Sequence, residues 1–372
     1  MKRRSLLAGI GLVPLTATGK SFFNIFNFFG KEKAAPMINH QETIDFQWPV
    51  QEPFLFCVHH LDHYPSGNKN FGVGSEHFKG RNMGQDFNLK DGFRLYHGTE
   101  IPGFPVHPHR GFETITIVRK GYIDHADSMG AAGRYGEGDV QWMTAGSGVQ
   151  HSEMFPLLHQ DKVNTVELFQ IWLNLPRKNK MVNPDFKMLW ADTIPKIKPN
   201  DKLEISLICG EYSGQQFRQT PPMSWASDPN HHVNIMLVKL KAGGKFDYPA
   251  SKEKLNRSFY FFEGSGLKVN QELVSTKKAV FFDSSVDLSL ENMKEDAEFL
   301  ILESKAINEP IIQHGPFVMN SREEIYQTIQ DYQRTQFGGW KWPRHDMIHG
   351  SKIERFAKFP DGRLEKPGNQ NS

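Results

Sequence analysis

From Phe46 onward the chain runs as short apolar stretches separated by Gly, Pro, Asn and Asp, and few segments sustain a 3.6-residue period. Thr114-Ile115-Thr116-Ile117-Val118 is β-branched throughout and ends at Lys120-Gly121. Such side chains suit a pleated strand, because a helical turn restricts their χ1. Gly136-Glu137-Gly138-Asp139 carries turn chemistry, and Val140-Gln141-Trp142-Met143 follows as a strand. The second half repeats this pattern weakly. Residues 258–264 parallel residues 114–121, and residues 278–283 parallel residues 139–143, an offset of about 140 residues. Many short strands with regular turns predict two copies of one all-β sandwich or barrel. The seam is expected in residues 184–199, where Pro184, Pro195 and Pro199 interrupt any element.

One helix stands out. Ser321-Arg322-Glu323-Glu324 is a capping box, in which the Ser321 hydroxyl and the Glu324 carboxylate each satisfy an amide left free at a helix start. Ile325, Ile329 and Tyr332 then share a face, which predicts a helix packed against a barrel. The expected organisation is an N-terminal domain over residues 46–185, a C-terminal domain over 186–335, and a tail over 336–372. That tail carries Trp340 and Trp342 and is expected to lie on the surface or on a partner.

Residues 1–45 read as leader and linker. Lys2, Arg3 and Arg4 precede Leu6-Leu7 and an uncharged stretch to Ala17. A basic start before a short apolar run has the form of an export signal, and the Arg pair resembles a twin-arginine signal. This implies bacterial export of a folded protein, so a periplasmic or exported location is expected, with the cytoplasm as the alternative. The run is too short to span a bilayer as a helix, so no stable membrane anchor is expected after processing.

Composition narrows the chemistry. The chain has 372 residues, 38% of them apolar and 23% charged, as in a soluble globular protein. Lys+Arg 44 against Asp+Glu 42 gives +2, too little to hold nucleic acid through bulk charge. There are 16 His and 2 Cys, which excludes a disulfide framework or a thiolate metal site. Cys57 and Cys209 read as free or buried.

Any metal must therefore be held by imidazole and carboxylate. His107-Pro108-His109 places two imidazoles at i and i+2, on one face of a strand and roughly 6.6–6.8 Å apart at Cα. His151-Ser152-Glu153 offers an imidazole and a carboxylate at the same spacing. Three neutral imidazoles and one carboxylate suit a first-row divalent ion, and an octahedral ion would keep two positions open. His59, His60, His125, His159, His231, His232 and His314 read as surface or core residues.

Three motifs carry a resemblance. They are His107-Pro-His-Arg-Gly-Phe-Glu-Thr114, then Gly138-Asp-Val-Gln-Trp-Met-Thr-Ala-Gly146 with Gly148-Val-Gln-His-Ser-Glu-Met154, and Glu309-Pro-Ile-Ile-Gln-His-Gly-Pro-Phe-Val-Met-Asn320. Together they resemble the pirin family of the cupin superfamily, over roughly residues 48–335. The resemblance implies two cupin barrels packed face to face with one metal in the N-terminal barrel. Its ligands would be His107, His109, His151 and Glu153. It also implies that Glu113 stands near the site as the alternative carboxylate. No His occurs from Lys245 to Leu300, so one ion per chain is expected, Fe2+ first among Fe, Mn, Ni, Cu and Zn.

Two functions follow from the resemblance. The first is a quercetinase-like dioxygenase that oxidises a flavonol or other phenolic enediol with O2. Glu153 or Glu113 would be its base, and Phe112, Trp142 and Phe155 are candidate pocket walls. The second is a non-catalytic, metal-binding, redox-sensing module that acts through a protein partner without touching nucleic acid. A cupin with another small-molecule activity, such as an isomerase, stays open because one fold hosts many functions.

Overall fold

The computed structural model describes residues 38–368, and the leader with Arg3 and Arg4 lies outside them. Strand Ile38–Thr43 (β1) is followed by Phe54–Tyr64 (β2), Gly103–His109 (β3), Phe112–Lys120 (β4), Tyr122–Asp127 (β5), Ala132–Gly136 (β6), Val140–Thr144 (β7), Val149–Met154 (β8), Asn164–Asn174 (β9) and Asp185–Leu189 (β10). The N-terminal barrel is made of two antiparallel sheets, ordered β10-β7-β4-β9-β2 and β6-β5-β8-β3.

The C-terminal half contains Lys196–Asn200 (β11), Leu203–Tyr212 (β12), Gln215–Phe217 (β13), Asn234–Leu240 (β14), Lys245–Tyr248 (β15), Asn256–Glu263 (β16), Leu267–Val269 (β17), Glu272–Val274 (β18), Lys278–Asp283 (β19), Leu288–Asn292 (β20) and Ala297–Ser304 (β21). Its sheets are ordered β1-β19-β16-β21-β14-β12-β11 and β15-β20-β17-β18. A hairpin of Ile312–His314 (β22) and Phe317–Met319 (β23) leads into helix Arg322–Thr335 (α1), and Phe356–Lys358 (β24) and Leu364–Glu365 (β25) follow.

The β-branched run of β4 is buried from Phe112 to Val118 because both its faces are covered. One face lines the N-terminal barrel, and the other packs on the C-terminal barrel. Aromatic rings fill the layer between them: Trp48 stacks on Tyr260 at 5.2 Å, and Phe169 meets Phe262 edge-on at 5.1 Å. Arg119 ties Glu167 of one barrel to Glu298 of the other. Aromatic side chains also fill the interior of the C-terminal barrel, with Phe299 against Phe246 at 5.5 Å and Phe259 at 4.6 Å. Buried Arg257 pairs there with Glu303, which accepts the Tyr248 hydroxyl at 2.8 Å. The capping box forms on α1, with Glu324 N donating to Ser321 Oγ at 3.2 Å and Ser321 N to Glu324 Oε2 at 3.0 Å. Ile325 buries itself against Phe317, Met319 and Phe337.

Three boundaries differ from the sequence reading. Residues 38–43, read as linker, form β1 on the edge of the C-terminal sheet beside β19. Its burial follows no period of two, so its side chains give no strand pattern. β10 pairs with β7, so the seam falls between Leu189 and Lys196, inside the expected 184–199 but past the boundary at residue 185. Buried Phe186 and Met188 alternate there with exposed Asp185 and Lys187, a period masked by the flanking prolines. The tail is not loose: β24 adds to β6, and Phe359 stacks on Phe186 at 4.6 Å inside the N-terminal core.

Candidate metal centre

The site is built on two neighbouring strands. β3 and β8 pair antiparallel with His107 opposite His151 and His109 opposite Val149. Directly paired residues point to the same face of a sheet, and so do i and i+2. His107, His109, His151 and Glu153 therefore all point into the barrel.

The three imidazoles converge. Their ring centroids lie 4.5 Å (His107–His151), 4.8 Å (His107–His109) and 4.8 Å (His109–His151) apart, and one ligand nitrogen from each falls within 4.8 Å of the others. His107 Nδ1 donates to Pro105 O at 2.9 Å, which leaves a lone pair on Nε2. That Nε2 faces His151 Nε2 at 3.0 Å. Two ligand nitrogens at about 2.1 Å from one ion, set at a right angle, lie roughly 3.0 Å apart, so the spacing fits adjacent ligands of a common ion. Burial pushes His107 down to about 4 and holds His109 and His151 well below the usual imidazole range. All three are thus neutral near pH 7, the form that binds metal. Among the described residues this trio is the one cluster of its kind.

Glu153 stands beside them, with Oε2 3.8 Å from His151 Nε2. Gln170 Nε2 donates to Oε2 at 2.8 Å, and Thr116 Oγ1 donates to Oε1 at 3.0 Å. Burial raises its carboxyl above the ordinary range. A cation in the niche would offset the cost of keeping that carboxylate charged.

Glu113 does not join them. It is four residues beyond His109, which in one continuous strand would place both on one face. The Arg110-Gly111 turn separates β3 from β4 and resets the alternation. Gly111 has φ +87, and a Cβ there would lie 1.9 Å from Val318 O. On β4, Phe112 touches His109 and Thr116 reaches Glu153, so these two line the interior. Glu113 faces the other barrel and accepts hydroxyls from Thr144 and Ser224, each at 2.6 Å. The expectation that Glu113 stands near the imidazoles is corrected accordingly.

Of the aromatic candidates, Phe112 packs between His109 and Trp172, with centroids at 5.1 and 4.5 Å. Trp142 and Phe155 are fully buried, Phe155 in the hydrophobic core. Half-buried Phe104, 6.3 Å from His107, and half-buried Trp172, 5.5 Å from His109, are further rings beside the trio. His125, read as background, is buried opposite Glu153 with its ring 5.5 Å from His151. Only the pairing of β5 with β8 brings it there, and no local spacing announces it.

The comparisons agree with this geometry. The pirin profile matches residues 69–173, and the pirin C-terminal cupin domain profile matches residues 235–338. The chain is 32% identical to pirin of Rattus norvegicus over 266 residues, covering 68% of this chain and 85% of that one. This chain belongs to the pirin family. A pirin-like protein of Solanum lycopersicum is 36% identical over 237 residues, covering 62% of this chain and 75% of the relative. A crystal structure of quercetin 2,3-dioxygenase from Acinetobacter baumannii superposes with a TM-score of 0.63 at 28% identity, covering 82% of this chain and 96% of the other. The protein is a cupin of two barrels, and its three-histidine group, of a kind that could hold a metal ion, lies in the N-terminal one. The arm after residue 338 extends past the C-terminal family match.

Proposed function

We propose that His107, His109, His151 and Glu153 hold one divalent first-row ion, Fe2+ first, and that the protein oxidises a flavonol or related phenolic enediol with O2. The observation that carries this reading is the set of three neutral imidazoles converging beside a buried carboxylate, with His107 Nε2 and His151 Nε2 3.0 Å apart. Similarity to the Acinetobacter baumannii quercetin 2,3-dioxygenase supports the substrate class. The bound ion would supply Lewis-acid binding of a phenolic oxygen and a meeting point with O2.

The chain's own groups supply the rest. Phe104 and Trp172, beside His107 and His109, suit a planar ring. Gln170 and Thr116 fix the rotamer of Glu153. Its carboxylate, raised by burial, is placed to accept a hydroxyl proton at Oε2. With Glu113 on the other face of β4, Glu153 is the remaining candidate for that step.

Burial favours a second reading. His151 and Glu153 are buried, and His107 is the partly exposed member of the set. So enclosed a centre also suits a module that senses metal or redox state and signals through a protein partner. Oxygen uptake with a flavonol panel, at measured metal occupancy, separates the two. Turnover that disappears in His107→Ala supports the dioxygenase, and no uptake at full occupancy supports the sensor. We further propose that the twin-arginine-like leader exports the folded protein.

A further inference from the structure

Each of the three imidazoles has a chain neighbour held by the C-terminal helix or the arm behind it. Arg110, next to His109, donates through a guanidinium nitrogen to Asp331 Oδ2 at 2.9 Å and to Thr328 Oγ1 at 3.3 Å, both on α1. Its guanidinium also covers the Phe337 ring at 4.4 Å. Gln150, next to His151, accepts the Tyr332 hydroxyl at 3.0 Å and donates to Gln336 O at 2.6 Å. Val106, next to His107, donates its amide to His345 O at 2.9 Å.

The fit at the start of β8 is close. Gly148 has φ +126, and a Cβ there would lie 2.6 Å from the Phe337 ring. The arm also reaches β5, where Trp342 Nε1 donates to Asp127 O and His349 Nε2 meets His125 O, both at 2.7 Å.

An imidazole's aim depends on the backbone that carries it. Partners that fix a ligand's surroundings raise metal affinity as effectively as many direct contacts. β3, the Arg110 turn that follows it, and β8 are pinned here by one continuous segment, residues 328–345, at the positions flanking the histidines. We propose that this segment sets the geometry of the metal centre, with Asp331 and Tyr332 as positioning residues acting through Arg110 and Gln150. The inference rests on reading the trio as a metal centre.

The test uses the full chain loaded with Co2+, whose visible spectrum reports ligand geometry. Tyr332→Phe keeps the ring against Phe317 and Phe337 and removes only the hydroxyl. Asp331→Asn keeps the size and removes the charge. Both are expected to change the Co2+ spectrum and to speed Co2+ loss to a chelator by roughly 10-fold or more. Ile325→Val loosens the same helix without touching a histidine's neighbour. It should lower the thermal midpoint and leave the spectrum unchanged. Three results would overturn the proposal. Unchanged spectra and loss rates in both variants would do so while leaving the metal centre intact. An equal spectral change in Ile325→Val would reduce the effect to general loosening. Failure of the unsubstituted protein to take up Co2+ would remove the metal reading as well.

Discussion

At the scale of single residues, burial decides charge. Glu113 sits between the barrels, where it accepts the Thr144 and Ser224 hydroxyls, and burial pushes its carboxyl up to about 7. Since the unfolded value is 4.5, the folded state binds the extra proton between those two pH values. Stability should therefore fall as pH rises through that window, by about 3 kcal/mol from this group alone. Glu113→Gln removes the titration and keeps the shape. Urea unfolding should find the variant more stable than the parent above pH 7, with a shallower fall between pH 4.5 and 7. Equal pH profiles would refute this assignment. The same residue shows what spacing along a sequence leaves open. The i, i+2 rule holds within β3 and within β8, so His107, His109, His151 and Glu153 were legible as one face. It fails across the Arg110-Gly111 turn, where only the three-dimensional path settles which way Glu113 points.

At the scale of elements, long-range pairing hides what local pattern does not show. β4 was legible from its β-branched run, and α1 from its capping box, because both are encoded within a few residues. β1 was not, since its side chains carry no burial period and its partner β19 lies far along the chain. His125 reaches the site only through the β5–β8 ladder. With Trp340 and Trp342 among many charges, the sequence places the arm on the surface or on a partner, yet Ala357 and Phe359 are buried in the N-terminal core. Phe359→Ala removes a ring stacked on Phe186 and should cost roughly 3–5 kcal/mol in denaturant unfolding, as for other buried aromatic truncations. A cost near zero would show that the arm is not part of that core.

At the scale of the whole molecule, two cupin barrels share a chain but not a chemistry. The N-terminal interior carries the imidazoles, while aromatic side chains and the Arg257–Glu303 pair fill the C-terminal one. In the sheets between them β4 and β16 are buried along most of their length, and the C-terminal barrel adds no ligand to the trio. Where the protein works is a separate question, for the leader. If it directs export of the folded protein, Arg3→Lys with Arg4→Lys should retain the chain in the cytoplasm, read by fractionation. Unaltered export would contradict that reading. Whether the trio holds an ion is decided by elemental analysis of the purified protein beside its His107→Ala variant. Close to one first-row divalent ion per chain is expected in the parent, and its loss in the variant. A parent that binds none when offered Fe2+, Mn2+, Ni2+, Cu2+ or Zn2+, or a variant that keeps its full complement, would contradict it.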